Sequence, residues 1–345
     1  MKTVQCQGSP RTMGRQYGEQ ARDEIQANCA WLDTARKVRE AGEYFAQAER
    51  DIGSLAPDLL TELQGLAEGA NVPLAEIVCC NHYNPGGPTV GCTPMAVAAG
   101  PDGPILGKNN DGSPVEERRF VVHVTKPDTG LPVTTVTYAG WLSGLDAANA
   151  VGLAAAHGSV GSIFPRTGAR IDIRLWSYGL LRQCRTTDEF ASRLGEVPLT
   201  GKGFNIVVVD RAGTTVVIEA AVPVLARRSE GAPFVFSTNH FITPELREAD
   251  RRTPSGKEIS TYRFGYLRWL ELSQPPKSLA DIQRVLASHE PWAPCRHAGP
   301  HVSVTLWSMI VLPRDGRLLV ADGPPCENPY TELDAMTPIP LDGNG

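Results

Sequence analysis

The chain has 345 residues, 41% hydrophobic and 21% charged, and a formal net charge of -5, a composition that describes a globular protein with a large core. A pI near 5.9 leaves no basic excess to neutralise phosphates, which excludes a nucleic-acid partner. No run of about 18 apolar residues argues for a membrane span, and Met1–Pro10 lacks the apolar centre of a secretory leader.

Eight cysteines stand at positions 6, 29, 79, 80, 92, 184, 295 and 326. Their spacing matches neither a disulfide framework nor paired CxxC zinc ligands. A reducing cytoplasm is the expected compartment, with most of these thiols serving as small buried hydrophobes.

From about Thr12 to Val78 the pattern is helical. Gly14, Gly18, Ala21 and Ile25 recur at spacings of three and four, which sets small residues on one helix face. Ala56-Pro57-Asp58 opens a second helix with Leu59, Leu60, Leu63 and Leu66 on one side, and Asn71-Val72-Pro73-Leu74 ends it and starts a short one. Asn84 to Gly91 reads Asn-Pro-Gly-Gly-Pro-Thr-Val-Gly, a loop without helix or strand period.

After Cys92 strands dominate, over 105–109, 120–126, 132–138, 151–157, 204–210, 214–220, 234–239, 302–312 and 317–321. Turn signals such as Pro101-Asp102-Gly103, Asp128-Thr129-Gly130, Arg211-Ala212-Gly213 and Asp315-Gly316 join them as hairpins. Helices are expected over 171–184, 187–194, 262–272 and 279–288. Hairpin runs with helix blocks predict an α+β fold of antiparallel sheets covered by helices.

One hairpin carries chemistry. Cys92 begins a strand, Pro101-Asp102-Gly103 turns the chain, and the return strand brings Lys108 and Asp111 back beside the cysteine. A lone cysteine is more often structural than catalytic, so this signal gains weight only from its surroundings.

Here the chain resembles the penicillin acyltransferase-like (peptidase C45) branch of the N-terminal-nucleophile (Ntn) hydrolases, with wider similarity to bile salt hydrolases and acid ceramidases. Gly91-Cys92-Thr93 matches the processing site, and Gly107-Lys108-Asn109-Asn110-Asp111 matches the glycine-basic-asparagine-x-aspartate element. The Gly8-Ser9-Pro10 opening with Gly14 and Gly18, the segments Leu55–Asp58, Gly65, Gly69-Ala70 and Pro73-Leu74, the Asn149–Leu153 turn and Thr238-Asn239-His240-Phe241 agree as well, in the family's order.

The resemblance implies a four-layer αββα sandwich and a self-inflicted cut between Gly91 and Cys92. The pieces would be a helical propeptide or small chain, residues 1–91, and a catalytic chain, residues 92–345, which stay associated. In the mature enzyme Cys92 would carry the acyl group as a thioester, with its own α-amine, of pKa about 8, as base. Asp111 would orient that amine, Lys108 would lower the thiol pKa, and Asn239 would donate its side-chain N–H to the oxyanion. Lysine at 108 departs from the family's usual arginine: the charge stays, but the planar fork is lost. His157 or a backbone N–H after Gly152 is a candidate second oxyanion donor. Asp250-Arg251-Arg252 and Ser260-x-x-Arg263 resemble relatives' segments that place a guanidinium near substrate, with helix-surface pairing as the plainer alternative for Arg251 and Arg263.

The expected reaction moves an acyl group from a thioester or amide donor to a small amine. Hydrolysis of a linear amide by the same residues is the alternative, as water instead of amine resolves the thioester. An unprocessed Ntn-fold binding protein is the alternative from another class, and a cysteine protease is disfavoured because no histidine lies in a protease-like signature. The partners are a small-molecule donor, an acyl-coenzyme A among the candidates although no phosphate-cradling glycine loop is visible, an amine acceptor, and the two cleaved pieces for each other. No membrane partner and no cofactor are expected. Cys295, His297, His301 and nearby His289 are metal-ligand types, but Cys-x-His-x-x-x-His lacks a partner pair and prolines interrupt it, so no metal is expected either.

Overall fold

The computed structural model describes residues 1–82, 91–115, 119–164, 170–297 and 303–333. Strand β1 (Lys2–Gly8) leads into helices α1 (Pro10–Gln20), α2 (Arg22–Leu32), α3 (Thr34–Glu40), α4 (Gly42–Leu55), α5 (Pro57–Ala70) and α6 (Leu74–His82). Then come β2 (Cys92–Val97), β3 (Ile105–Gly112), β4 (Phe120–Pro127), β5 (Val133–Tyr138), β6 (Ala147–Asn149), β7 (Ala154–Ser159) and β8 (Ile171–Asp172), followed by α7 (Ile173–Leu181) and α8 (Thr187–Arg193). Strands β9 (Leu199–Thr200), β10 (Phe204–Val209), β11 (Thr215–Ala220), β12 (Leu225–Arg228) and β13 (Phe234–Phe236) precede α9 (Pro254–Ser273) and α10 (Leu279–Leu286). Strands β14 (Val304–Leu312), β15 (Arg317–Ala321) and β16 (Thr331–Leu333) follow.

Local chemistry sets the corners. Between β10 and β11, the Asp210 carboxylate accepts from the backbone N–H groups of Ala212 and Thr214, each at 3.0 Å, and Gly213 takes φ +88° to complete the turn. Helix α8 starts on a capping box of Thr186 and Glu189, and α10 on one of Ser278 and Asp281.

The strands form an eight-stranded sheet, in the order β1-β4-β5-β6-β7-β10-β11-β12, and a six-stranded sheet, β13-β2-β3-β14-β15-β16, with a small β8-β9 pair apart. Neighbours in the two large sheets run antiparallel except β1 on β4.

Period-two alternation builds four layers from these sheets. Val121, Val133, Ile206, Val208 and Ile218 of the larger sheet face a core shared with Tyr17, Ile25, Leu63, Leu66 and Tyr178 of the N-terminal helices and α7. Their neighbours Val122, Val136, Val207, Val209 and Val217 face Ala96, Leu106, Trp307, Met309 and Val311 of the smaller sheet. The far side of that sheet, with Met95, Val97, Ile105 and Ile310, packs on Leu267, Leu270, Ile282 and Leu286 of α9 and α10. The architecture is therefore a helix–sheet–sheet–helix sandwich of α+β class.

The structure departs from the sequence expectations at several places, among them α9, which starts at Pro254 rather than near 262, and the break at Ala21 that divides the small-residue face between α1 and α2. Residues 2–8 form an edge strand that lies parallel to β4 over seven residue pairs. The strand expected at 151–157 starts at Ala154, because Asn149 Oδ1 accepts from Val151 N at 3.3 Å and Leu153 N at 3.0 Å and holds the chain in a turn. The strand expected at 234–239 ends at Phe236, and this early ending frees Asn239 to reach across to Cys92.

Candidate active site

Cys92 is the first residue of β2, and antiparallel pairing sets it opposite Asn110 of β3. Residues opposite one another share a face. Leu106, Lys108 and Asn110 therefore point with Cys92 into the layer between the sheets, where Leu106 belongs to the inter-sheet core. The buried Cys92 thiol donates to Asn110 Oδ1 at 3.6 Å. Asn109 and Asp111 point to the other face, and Asn109 Nδ2 donates to Leu286 O on α10 at 2.8 Å.

Cys92 is gripped through both its backbone N–H and its carbonyl. Asn239 Oδ1 accepts the Cys92 N–H at 3.0 Å. Arg263 of α9, fully buried, donates through Nη1 to Cys92 O at 2.9 Å and Thr93 Oγ1 at 2.8 Å, and through Nη2 to Asn239 Oδ1 at 2.7 Å. A Cβ on Gly91 would stand 2.7 Å from Arg263 Nη2 and 3.1 Å from Asp111 Oδ2. A side chain there would have to displace the Arg263 guanidinium. Burial, then Arg296, pushes the Arg263 guanidinium down to about 9.

Asp111 Oδ1 accepts from Thr305 Oγ1 at 2.9 Å. Its Oδ2 is buried without a hydrogen bond, with Arg296 Nε 3.6 Å away. Burial raises this carboxyl above its usual range, against the opposing pull of Arg296 and Arg263.

Lys108 and Asn239 have partners that the sequence did not announce. Lys108 Nζ lies 2.6 Å from both carboxylate oxygens of Asp146 and 3.2 Å from His157 Nδ1. The hairpin register pairs Lys108 with Pro94 and gives the place beside the thiol to Asn110. Asp146 stays below the ordinary carboxylate range: burial would raise it, and His157 and Lys108 more than reverse that. His157 is held by the same carboxylate, whose Oδ1 accepts its backbone N–H at 3.1 Å while Nδ1 lies 3.0 Å from Oδ2. Asn239 Nδ2, expected as an oxyanion donor, is committed to Ser159 O at 2.8 Å. Arg263 fixes that orientation, since its N–H must meet the amide oxygen and not the amide nitrogen.

Arg251 is exposed, and its backbone N–H bonds Gly161 O at 3.0 Å. Its neighbour Arg252 turns inward instead and donates to Asn239 O at 2.6 Å. Sequence reasoning gave no role to Asn110, Asp146, Thr305 and Arg296, and in Asp250-Arg251-Arg252 it singled out Arg251 where Arg252 is the one turned inward. A signal for Asn110 was present, because a hairpin closing symmetrically around Pro101 sets residue 110 against residue 92. The others arrive from distant elements, and no spacing announces them.

Three of the thiols outside this site, Cys6, Cys79 and Cys184, fit a packing role. Burial pushes Cys6 and Cys79 up to about 12 and Cys184 up to about 11.

Residues 98–323 match the model of the acyl-coenzyme A:6-aminopenicillanic acid acyl-transferase family. No curated protein matches the chain. Among solved structures, a mutant of conjugated bile acid hydrolase from Clostridium perfringens aligns at 10% identity over 74% of this chain and 100% of that chain, with a TM-score of 0.44. Penicillin V acylase from Agrobacterium tumefaciens aligns at 14% identity over 67% of this chain and 83% of that one, TM-score 0.39. A Caenorhabditis elegans N-acylethanolamine-hydrolyzing acid amidase ortholog aligns at 12% identity over 65% and 93%, TM-score 0.37.

Proposed function

The chain belongs to the acyl-coenzyme A:6-aminopenicillanic acid acyl-transferase family, whose model spans more than half of it, and from that premise we propose that it cuts itself at Gly91–Cys92 and then transfers acyl groups through a Cys92 thioester. The observation that carries the reading is the setting of this one bond: a buried thiol beside it, Asn239 on the Cys92 N–H, and a buried guanidinium that holds the next carbonyl and lies against Gly91, where a side chain would have to displace it.

In processing, Cys92 Sγ attacks the Gly91 carbonyl and the C–N bond breaks. The Gly91 acyl group passes to sulfur and the α-amine of Cys92 is freed. Water then hydrolyses this thioester, leaving residues 1–91 with a carboxylate end and residues 92–345 with an amine. Arg263 places positive charge beside the tetrahedral oxyanion. The Asp111 oxygen without a hydrogen bond next to Gly91 supplies an acceptor for the new ammonium, an interaction that the intact chain lacks.

In turnover the amine takes the thiol proton and the thiolate attacks the donor carbonyl. The leaving thiol or amine departs with that proton. A small acceptor amine then attacks the thioester, passes its proton through the α-amine to sulfur, and leaves as the amide. Asn239 acts in this reading by holding Cys92 N in line, and Lys108 by fixing Asp146 and His157 behind the reacting layer. The donor is a small-molecule thioester or amide, acyl-coenzyme A included, and the eight free thiols fit a reducing cytoplasm.

The test is acyl trapping. Processed protein treated with an acyl thioester and no amine is expected to gain one acyl mass on the 92–345 piece, absent in Cys92→Ala. Adding a primary amine then yields amide in excess of free acid. Free acid alone would make the enzyme a hydrolase, and no adduct at Cys92 would overturn the reading.

A further inference from the structure

Away from Cys92, four metal-ligand side chains converge where the loop after α10 meets the turn after β15. The ligand atoms of His289, Cys295, His297 and Cys326 all lie within 4.8 Å of one another. Cys295 Sγ is 3.4 Å from Cys326 Sγ, His297 Nε2 is 3.0 Å from Cys326 Sγ and 3.9 Å from Cys295 Sγ, and the two histidine Nε2 atoms are 3.3 Å apart. Bonds of about 2.3 Å to sulfur and about 2.0–2.1 Å to nitrogen set the corners of a tetrahedral zinc site roughly 3.3–3.8 Å apart. The observed separations bracket those edges.

A second feature fits the same assignment. His297 presents Nε2 to the cluster while its Nδ1 lies 3.5 Å from a Glu327 carboxylate oxygen. Metal-bound histidines commonly hold their other ring nitrogen against a carboxylate in this way, which fixes ring and tautomer. The expectation of no metal rested on the missing partner pair. Cys326 and His289 supply it from outside the short motif, whereas His301 lies outside the described residues.

We propose that His289, Cys295, His297 and Cys326 bind one zinc ion in a closed Cys2His2 site. Two thiolates and two neutral imidazoles balance the charge of Zn2+, and the two thiol protons leave to solvent. Four protein ligands leave no open position for substrate, so the ion clamps rather than catalyses. What it clamps adjoins the candidate active site. Arg296, between two ligands, bonds Thr305 Oγ1 through its backbone N–H at 3.0 Å and sets its Nε 3.6 Å from Asp111.

The experiment is elemental analysis of protein made without a metal-affinity tag and dialysed against metal-free buffer. About one zinc per chain is expected, falling at least tenfold in Cys326→Ser and His289→Ala and unchanged in Cys79→Ser. Cobalt added to metal-stripped wild type is expected to show thiolate-to-cobalt charge-transfer absorption, a readout that does not depend on a variant folding. Wild type with less than a tenth of an equivalent of metal and no such absorption would overturn the proposal, as would a Cys295–Cys326 disulfide in protein isolated without reductant.

Discussion

At Gly91 one hydrogen atom decides what the site can hold. A methyl group there would meet Arg263 Nη2 at 2.7 Å, and Arg263 is pinned by bonds to Cys92 O, Thr93 and Asn239. Gly91→Ala is therefore expected to slow the cut by about tenfold or more, equivalent to about 1.4 kcal/mol in the barrier, while the protein stays folded. A time course of intact and cut chain on denaturing gels measures it, and cutting at the wild-type rate would count against the reading. His123 gives a residue-scale prediction about stability. Its ring stacks on Tyr17 with centroids 4.1 Å apart, and neither nitrogen has a hydrogen-bond partner. Burial pushes its pKa down to about 3. Between about pH 6.5 and 3 the unfolded chain thus binds a proton that the folded chain refuses, and stability falls as pH falls through that window. His123→Phe is expected to flatten the decline of Tm over pH 6.5 to 4, and an unchanged slope would remove His123 from the cause. At this scale the hairpin that pairs the Cys92 strand with the Lys108–Asp111 strand was legible, because both strands flank one turn. The Asp146 partner of Lys108 was not legible, because charge type predicts a partner only when register is known.

Helix and strand periods carried more. The sequence-read strand at 317–321 agrees with β15, and those at 204–210 and 214–220 agree with β10 and β11 to within a residue at each end, because β-branched runs end there at strong turn residues. Strand β1 went unread because only Val4 and Cys6 of its residues are buried, too few to display alternation. The small-residue face of α1 was legible and its partner was not. A Cβ on Gly14 would meet Glu62 O at 2.0 Å and one on Gly65 would meet Arg11 O at 2.1 Å, so α1 and α5 touch backbone to backbone. Helix α5 also faces α7 through a buried charge network. Arg182, just past the end of α7, donates to Glu62 at 2.6 Å, and Tyr178 OH reaches the same carboxylate at 2.8 Å. Arg182→Met is expected to cost roughly 3–5 kcal/mol by leaving Glu62 charged and buried, and Glu62→Leu added to it is expected to recover most of that loss. Urea unfolding of the single and double variants measures both. A single variant within 1 kcal/mol of wild type would show that the network contributes little.

Over the whole molecule, the segment before Cys92 is woven into the rest. Strand β1 pairs with β4, the first helices share one core with the larger sheet, and Asn28 and Asn81 donate to the backbone oxygens of Ala139 and Gly140. The order of elements, hairpins after a helical start, let the sequence imply antiparallel sheets covered by helices, and the family resemblance supplied the four layers. The crossing of chain segments between layers was invisible, because nothing local encodes it. No helix among the described residues is long and apolar enough to cross a membrane. Cutting a chain so interlocked is expected to leave one particle, since the core spans the cut. Intact mass analysis of purified wild type, run under native and then denaturing conditions, tests the central claim most directly. The account predicts one native species that separates on denaturation into residues 1–91 and 92–345, the second beginning at Cys92, with masses summing to the 37.2 kDa chain plus one water. A single uncut chain, or a new N-terminus other than Cys92, would contradict it.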